Sequence, residues 1–185
     1  QYTSIAHTDR VEEIGAELAE EAGDAATATD LRTKATALRT AIRTKLWLAE
    51  DARTHGIDAT FVDATRLDDI KAAIRPGQTK MIWLETPANP LWSITDIRGA
   101  ADIAHAAGAI LAVDSTVATP ILTRPIEHGA DIVMHAATKY LNGHSDVLAG
   151  ALVFARDDAM FERAARVRKM LGGVLAPFEA ALLLR

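Results

Sequence analysis

Cysteine is absent from the 185-residue chain, and several other features are missing with it. Without cysteine there is no disulfide, no thiolate metal site and no cysteine nucleophile. No apolar run approaches the roughly 18 residues that a membrane-spanning helix needs. The first ten residues, QYTSIAHTDR, have neither the basic nor the apolar region of a signal peptide, and the chain does not begin with methionine. These absences predict a cytoplasmic fragment with no membrane partner.

The charge balance narrows the classes of function further. The formal net charge is −5, which gives no reason to expect nucleic acid as the main partner. Apolar residues make up 49% of the chain and charged residues 24%, proportions typical of a globular protein. A chain of this length is long enough to bury a sizeable core. We therefore expect one globular domain with room for an appendage.

The N-terminal part of the chain differs in composition from the rest. Residues 1–55 are rich in Ala, Thr, Glu and Arg. Apolar residues recur there at steps of three or four, which predicts one face of a helix: Leu31, Ala35, Leu38, Ile42 and Leu46. Asp30 is a candidate N-cap for this helix, and His55-Gly56 is a candidate stop. We predict a helical N-terminal segment over residues 1–55.

From residue 56 onward, strand-like and helix-like segments alternate. Short apolar runs predict five strands: 59–63, 80–85, 109–114, 130–135 and 148–155. Helical spacing predicts three helices between and after them: 65–74, opened by Thr65, 93–108 and 157–171. Alternation of this kind implies βαβ units. The predicted fold is therefore α/β, with a mainly parallel sheet flanked by helices.

Two side chains fall beyond strand ends, where ligands gather in such sheets. Asp114 ends one predicted strand, and Lys139 follows the next. Pyridoxal phosphate requires this pair, because a lysine amine bonds to its aldehyde and a carboxylate keeps its ring nitrogen protonated. Thr138, next to the lysine, is placed to hold the phosphate arm. Two other interpretations stay open here, since most lysines are solvated charges and an aspartate at a strand end is often a turn former.

Longer motifs choose between these interpretations. The segments WLETPANPLWSITDI, LAVDSTVATPILTRPIEHGADIVMHAATKYLNGHSDVLAGALV and GGVLAPFEAALLLR resemble the Cys/Met-metabolism family of pyridoxal-phosphate enzymes. That family includes cystathionine γ-synthases, cystathionine lyases, methionine γ-lyases and sulfhydrylases. The resemblance covers about residues 56–185. It implies part of a fold-type-I large domain, a homo-oligomer, and elimination or replacement at the γ or β carbon of sulfur amino acids or O-acylhomoserines.

The resemblance also assigns roles to individual residues. Lys139, in ATKYLNGHSD, matches the lysine that forms the Schiff base and then moves protons on the substrate. Asp114, in AVDST, matches the partner of the pyridine nitrogen. Asn89, in ETPANP, matches an asparagine beside the phenolic oxygen of the ring. Thr138 matches a hydroxyl that binds the phosphate.

Three departures from the family pattern limit what the resemblance implies. Ala136 stands where the family usually has a phosphate-binding serine, so only backbone N–H groups remain to serve there. The Gly-containing phosphate loop and the ring-stacking aromatic residue are not visible upstream of residue 56. The sequence ends at Arg185, where the family continues into a small C-terminal domain that we expect to be absent.

Two alternatives to an active enzyme follow. The first is a truncated, catalytically inactive remnant that binds pyridoxal phosphate weakly or not at all. The second rests on QYTSIAHTDRVEEIGA, which resembles part of the integrase-type core of insertion-sequence transposases and would suggest a nucleic-acid-binding protein. The acidic net charge opposes the second. We assign structural roles to His135 and His144, and packing roles to Trp47, Trp83 and Trp92.

Overall fold

The computed structural model describes residues 19–20, 23–34, 57–89 and 91–185. The chain divides into two compact units. The first consists of Gln1–Val62 with Asn89–Leu91, and the second of Asp63–Ala88 with Trp92–Arg185. The candidate residues Asp114, Thr138 and Lys139 all belong to the second unit.

In the first unit, residues 25–34 are helical. Asp24 caps this helix, because its carboxylate accepts the backbone N–H of Thr27 at 3.0 Å and the hydroxyl of Thr27 at 2.6 Å. Asp30 lies inside the helix and pairs with Lys34 at 2.7 Å, so its assignment as N-cap is wrong. The rest of the predicted helix and the stop at residues 55–56 lie outside the described residues.

The second unit is built on a four-stranded sheet in the order β1-β2-β3-β4. The strands are β1 (Met81–Glu85), β2 (Ile110–Asp114), β3 (Ile132–His135) and β4 (Ala151–Phe154). The first three are parallel, and β4 pairs antiparallel with β3. The prediction of an α/β fold with a mainly parallel sheet is confirmed. The predicted strand at residues 59–63 is wrong, since the described residues 57–63 contain no strand.

Helices connect and follow these strands. They are α1 (Leu67–Ala73), α2 (Ile97–Ala106), α3 (Thr119–Leu122), a 3₁₀ helix (Pro125–His128), α4 (Ala159–Leu171) and α5 (Pro177–Leu183). Asp96 caps α2 by accepting the backbone N–H of Gly99 at 3.1 Å, and Asp158 caps α4. The predicted helix start at Thr65 is wrong, because Thr65 bonds to Asp63 instead and α1 begins two residues later.

The hydrophobic core lies on one face of the sheet. Helix α2 buries Ile97, Ala100 and Ala104 there, at the spacing that the sequence predicts for one helix face. The other core residues are Ile70, Leu84, Ala101, Ala109, Leu111, Val113, Ala130 and Val133. On the opposite face Trp83 is 52% exposed, and Trp92, in the loop after β1, is 56% exposed. The packing roles assigned to Trp83 and Trp92 are therefore wrong, while Trp47 lies outside the described residues.

Gly129 ends the 3₁₀ helix in the left-handed region, with φ of 97°. A Cβ atom at this position would lie 2.9 Å from Cβ of Ala101 in α2. We expect Gly129→Ala to lower the free energy of unfolding by about 2–4 kcal/mol, through backbone strain and overpacking together. Gly108→Ala is the matched control, because Gly108 has φ of 69° and no atom within 4 Å of such a Cβ. Equal losses in thermal unfolding of the two variants would show that the contact with Ala101 contributes nothing.

A buried carboxylate joins three elements at the amino edge of the sheet. Asp131 is 5% exposed and accepts the backbone N–H of Leu111 in β2 at 2.9 Å. It also contacts Nε2 of His105 in α2 and Nη2 of Arg156 after β4, each at 2.9 Å. Burial alone would raise the pKa of Asp131, but these hydrogen bonds and the nearby positive charge outweigh it and lower that pKa below its usual range. No pattern in the sequence predicted this cluster.

Candidate cofactor site

The candidate site lies at the carboxyl edge of the sheet, where β2 and β3 end side by side. Asp114 is the last residue of β2 and pairs in register with Met134 of β3. His135 ends β3, and a run of turns from Ala137 to Asn142 follows and contains Lys139. The parallel pairing thus places the segments that carry Asp114 and Lys139 on neighbouring strand ends, as the sequence predicts.

Asp114 is half-buried, and one of its carboxylate oxygens is fully engaged. Oδ1 accepts the backbone N–H of Thr116 at 3.0 Å and the hydroxyl of Thr116 at 2.5 Å. Oδ2 makes no hydrogen bond with any residue in the described part of the chain. One oxygen therefore fixes the side chain in place, and the other remains available to a ligand.

Lys139 sits in a turn that the backbone holds firmly while its side chain is exposed. Its N–H donates to the carbonyl of Ala136 at 3.0 Å, and its own carbonyl accepts the N–H of Gly143 at 2.8 Å. Asn142-Gly143 closes this turn, with Gly143 in the left-handed region at φ of 73°. The amine of Lys139 makes no hydrogen bond or ion pair with the residues that the structure describes. No described residue therefore ties the amine down.

The hydroxyl of Thr138 bonds to a neighbouring loop. It accepts the backbone N–H of Ala149 at 2.8 Å and donates to the carbonyl of Ala149 at 3.2 Å. The second contact is long for an O–H···O hydrogen bond, whose usual length is about 2.7–2.8 Å. The N–H of Ala149 therefore holds the side chain of Thr138 in place, while the hydroxyl proton of Thr138 makes only a weak hydrogen bond.

Ala136 and Asn89 are the two remaining predicted site residues. The N–H of Ala136 donates to the hydroxyl of Thr116 at 2.8 Å, so this backbone group is already used within the protein. Asn89 lies in a turn that follows β1 and groups with the first unit. The roles assigned to both residues by the family resemblance stay predictions.

Thr116 and Ser115 are site residues that sequence reasoning missed. Thr116 contacts both Asp114 and Ala136, and a signal was available, since a threonine two residues after an aspartate is a typical turn former. Ser115 is fully buried, and its hydroxyl has no hydrogen-bond partner among the described residues. His135, on the neighbouring strand end, is 3% exposed and its Nδ1 also has none in that part of the chain. The structural role assigned to His135 fits this burial.

We expect Ser115→Ala to leave the free energy of unfolding unchanged or to raise it by up to about 1 kcal/mol, because it removes a buried group that has no partner among the described residues. Thr86→Val is the matched control. The buried hydroxyl of Thr86 accepts the N–H of Thr95 at 3.0 Å, so its loss should cost about 1–3 kcal/mol. Denaturant unfolding measures both changes. A loss above 1 kcal/mol for Ser115→Ala would show that this hydroxyl bonds to a buried water.

The described residues offer no metal centre and no membrane span. No group of three or more histidine, aspartate or glutamate side chains there is arranged to hold a metal ion. Within the same residues, no helix is both long and apolar enough to cross a membrane. The carboxyl edge of this α/β sheet brings the segments of Asp114 and Lys139 together, at the edge where such sheets commonly bind ligands.

Comparisons with known proteins identify the class. The family described as "Cys/Met metabolism PLP-dependent enzyme" matches residues 42–185, beginning upstream of the boundary at residue 56 that the motifs suggested. The L-methionine gamma-lyase of Porphyromonas gingivalis is 44% identical over 140 residues, which are 75% of this chain and 35% of that protein. The cystathionine gamma-lyase of Bacillus subtilis is 49% identical over 130 residues, which are 70% and 34% respectively.

A solved structure gives the same answer. The crystal structure of cystathionine gamma-lyase from Lactobacillus plantarum in complex with L-serine superposes with a TM-score of 0.69 and 38% identity, covering 79% of this chain and 36% of that one. The chain therefore belongs to the Cys/Met-metabolism family of pyridoxal-phosphate-dependent enzymes. It spans about a third of the length of the curated relatives that it matches.

Proposed function

We propose that this chain carries the lysine-bearing half of a pyridoxal-phosphate site. The proposed reaction is elimination or replacement at the γ or β carbon of sulfur amino acids or O-acylhomoserines. The observation that carries the proposal is that β2 and β3 end side by side, with a half-free carboxylate on one and a free amine after the other. These are the two groups that the cofactor requires.

The ring end of the cofactor fits the residues present. Oδ2 of Asp114 has no hydrogen bond with any described residue, so it is available to a protonated pyridine nitrogen. The amine of Lys139 has no hydrogen bond or ion pair with the same residues, so no such contact must break before it meets the cofactor.

The phosphate of the cofactor can be bound by the hydroxyl of Thr138, provided that the weak hydrogen bond from this hydroxyl to the carbonyl of Ala149 is given up. Ala149 N–H holds the hydroxyl oxygen, while its proton is directed to the carbonyl of Ala149 across an O···O distance of 3.2 Å and can turn toward a phosphate oxygen. Ala136 offers no hydroxyl, and its N–H is bonded to Thr116. We expect phosphate binding weaker than with a serine at this position, by about 1–3 kcal/mol.

When bound, pyridoxal phosphate supplies an electron sink for the carbanion that a substrate forms on losing its α-proton. The residues of the chain contribute by positioning the cofactor and by transferring protons. The carboxylate of Asp114 would keep the ring nitrogen protonated. Nζ of Lys139 would hold the cofactor until the amine of an amino acid displaces it, and the released Nζ would then accept and return protons at the substrate. The exposure of Lys139 leaves this amine open to an incoming amino acid.

An inactive remnant is the second candidate, and Ala136 is the specific observation that favours it. The residue lacks the serine hydroxyl, and its N–H is not available to replace it. Catalysis depends on several positioned groups acting together, so the loss of one phosphate contact is amplified if others are also missing. Absence of cofactor binding would favour this candidate, while covalent binding without turnover of cystathionine, methionine or O-acylhomoserines would place the protein between the two.

The finer expectations on partners, location and organisation are part of the proposal. We propose a homo-oligomer, by resemblance to the family, and a cytoplasmic location, which fits the absence of cysteine. We also propose that residues 1–55 form a helical segment ahead of the cofactor-binding region. Light scattering of the purified chain measures the oligomeric state directly.

The test of the proposed function is selective covalent attachment. The purified chain is mixed with pyridoxal phosphate, followed by absorbance, reduced with borohydride and digested for peptide mapping. We expect a new visible band and an adduct concentrated on Lys139, which is one of six lysines in the sequence. Pyridoxamine phosphate, which lacks the aldehyde, should give no adduct. Equal labelling of all lysines would contradict the proposal.

A further inference from the structure

We propose that Thr116 is a positioning residue that couples the carboxylate of Asp114 to the backbone leading into Lys139. This inference rests on the proposed function for its link to the cofactor. Thr116 itself is half-buried, and its hydrogen bonds reach the Asp114 carboxylate and the Ala136 backbone rather than the amine of Lys139. Its importance comes from the direction of these bonds.

The chemistry of the three groups fixes that direction. The N–H of Ala136 can only donate, so Oγ1 of Thr116 must accept from it at 2.8 Å. A hydroxyl has a single proton, which is therefore directed to Oδ1 of Asp114 at 2.5 Å. The N–H of Thr116 adds a second bond to the same oxygen at 3.0 Å. Oδ1 is held by both donors, and Oδ2 has no hydrogen bond with the described residues.

The same chain of bonds continues to the lysine. The carbonyl of Ala136 accepts the N–H of Lys139 at 3.0 Å. Asp114, Thr116, Ala136 and Lys139 are thus joined in series, from the carboxylate at the end of β2 to the backbone of the turn after β3. The sheet already joins Asp114 and Ser115 to Met134, and this series extends the connection past the end of β3 into the turn that carries Lys139. A cofactor that must meet both groups at once requires such a fixed arrangement.

A second pair in the chain shows what is specific to Thr116. Thr65 also donates its N–H, at 3.0 Å, and its hydroxyl, at 2.7 Å, to Oδ1 of the aspartate two residues before it, Asp63. That pair is exposed just before α1, and no backbone N–H of the described residues donates to the hydroxyl of Thr65. The local turn is therefore a common motif. The added bond from Ala136 is what turns it into a link between two strands at the site.

The test compares Thr116→Val, Thr116→Ser and Thr65→Val. The valine keeps the shape of the side chain and removes the hydroxyl, while the serine keeps the hydroxyl. Hydrogen exchange of the Ala136 amide is measured first, without cofactor, because that amide is bonded to Thr116. We expect Thr116→Val to exchange about tenfold faster there, and Thr116→Ser and Thr65→Val to match the wild type. Thr116→Ala replaces the valine variant if the latter does not fold.

Affinity for pyridoxal phosphate is the second readout. We expect the dissociation constant to rise about tenfold in Thr116→Val and to return to the wild-type value in Thr116→Ser. Wild-type exchange and affinity in Thr116→Val, or loss of both in Thr116→Ser, would overturn the positioning role. A wild-type chain that does not bind pyridoxal phosphate overturns the proposed function instead, and the Ala136 amide still decides whether Thr116 couples the two strand ends.

Discussion

Asp131→Ala is expected to lower the free energy of unfolding by about 1–3 kcal/mol, because it leaves the buried N–H of Leu111 unpaired while the charges of His105 and Arg156 remain in contact with solvent. The carboxylate is almost fully buried and bonds at 2.9 Å to each of Leu111, His105 and Arg156. Its removal leaves the N–H of Leu111 without its acceptor and takes away the side-chain bonds to α2 and to the residue after β4. For a chain of this size, each kcal/mol corresponds to about 2–4 °C in Tm. Thermal and urea unfolding measure the loss.

The control for Asp131→Ala is Glu127→Ala, which removes an ion pair that is exposed on both sides. Glu127 contacts Arg124 at 3.2 Å, and the two side chains are 64% and 68% exposed. Its loss should stay within about 0.5 kcal/mol, because solvent screens such pairs. Similar losses for the two variants would show that the Asp131 cluster contributes no more than a surface pair.

The same carboxylate should make stability fall in acid. The folded pKa of Asp131 lies below its ordinary value, so the folded state binds fewer protons here than the unfolded state. Its contribution is fully present above the unfolded pKa of about 3.9 and is lost as the pH falls through the folded pKa. The gap in unfolding free energy between wild type and Asp131→Asn should therefore narrow below about pH 4. A gap that stays constant through strong acid would contradict this assignment.

The sequence predicts the parts of the fold that depend on short-range patterns. The helical spacing of Ile97, Ala100 and Ala104 identifies α2, and the continuous apolar run of β2 identifies a strand that is buried on both faces. The order of these elements then gives the parallel sheet. The positions of Asp114 and Lys139 beyond strand ends follow from the same reasoning, because a strand end is defined by where the apolar run stops, whereas their roles come from the family resemblance and stay predictions.

The parts that were missed depend on contacts across the chain. Asp131 binds residues from α2, β2 and the end of β4, and none of these contacts leaves a periodic signal in the sequence. Thr116 resembles any turn-forming threonine until its bond to Ala136, twenty residues away, is seen. Asp30 failed as an N-cap for a local reason, because Asp24 takes the same role six residues earlier.

Lys139→Ala is expected to abolish covalent attachment of pyridoxal phosphate at the site while leaving the fold intact. The side chain is exposed and makes no hydrogen bond or ion pair with the described residues, so its truncation should change the free energy of unfolding by less than about 0.5 kcal/mol. Because the fold should stay intact, any loss of labelling in this variant reports on bond formation with the cofactor and not on unfolding. After borohydride reduction and peptide mapping, total labelling should fall to the background level of the other lysines.

An analogue without the aldehyde separates binding from bond formation. If Asp114 and Thr138 hold the ring and phosphate by themselves, pyridoxine phosphate should bind wild type and Lys139→Ala with similar affinity. Lys80→Ala is the control, since the amine of Lys80 bonds to the carbonyl of Gly77 at 2.8 Å, away from the site. It should keep full labelling on Lys139. Undiminished total labelling in Lys139→Ala would mean that another lysine bonds to the cofactor. Loss of analogue binding as well would mean that Lys139 also holds the site together, in conflict with its exposed, unbonded side chain.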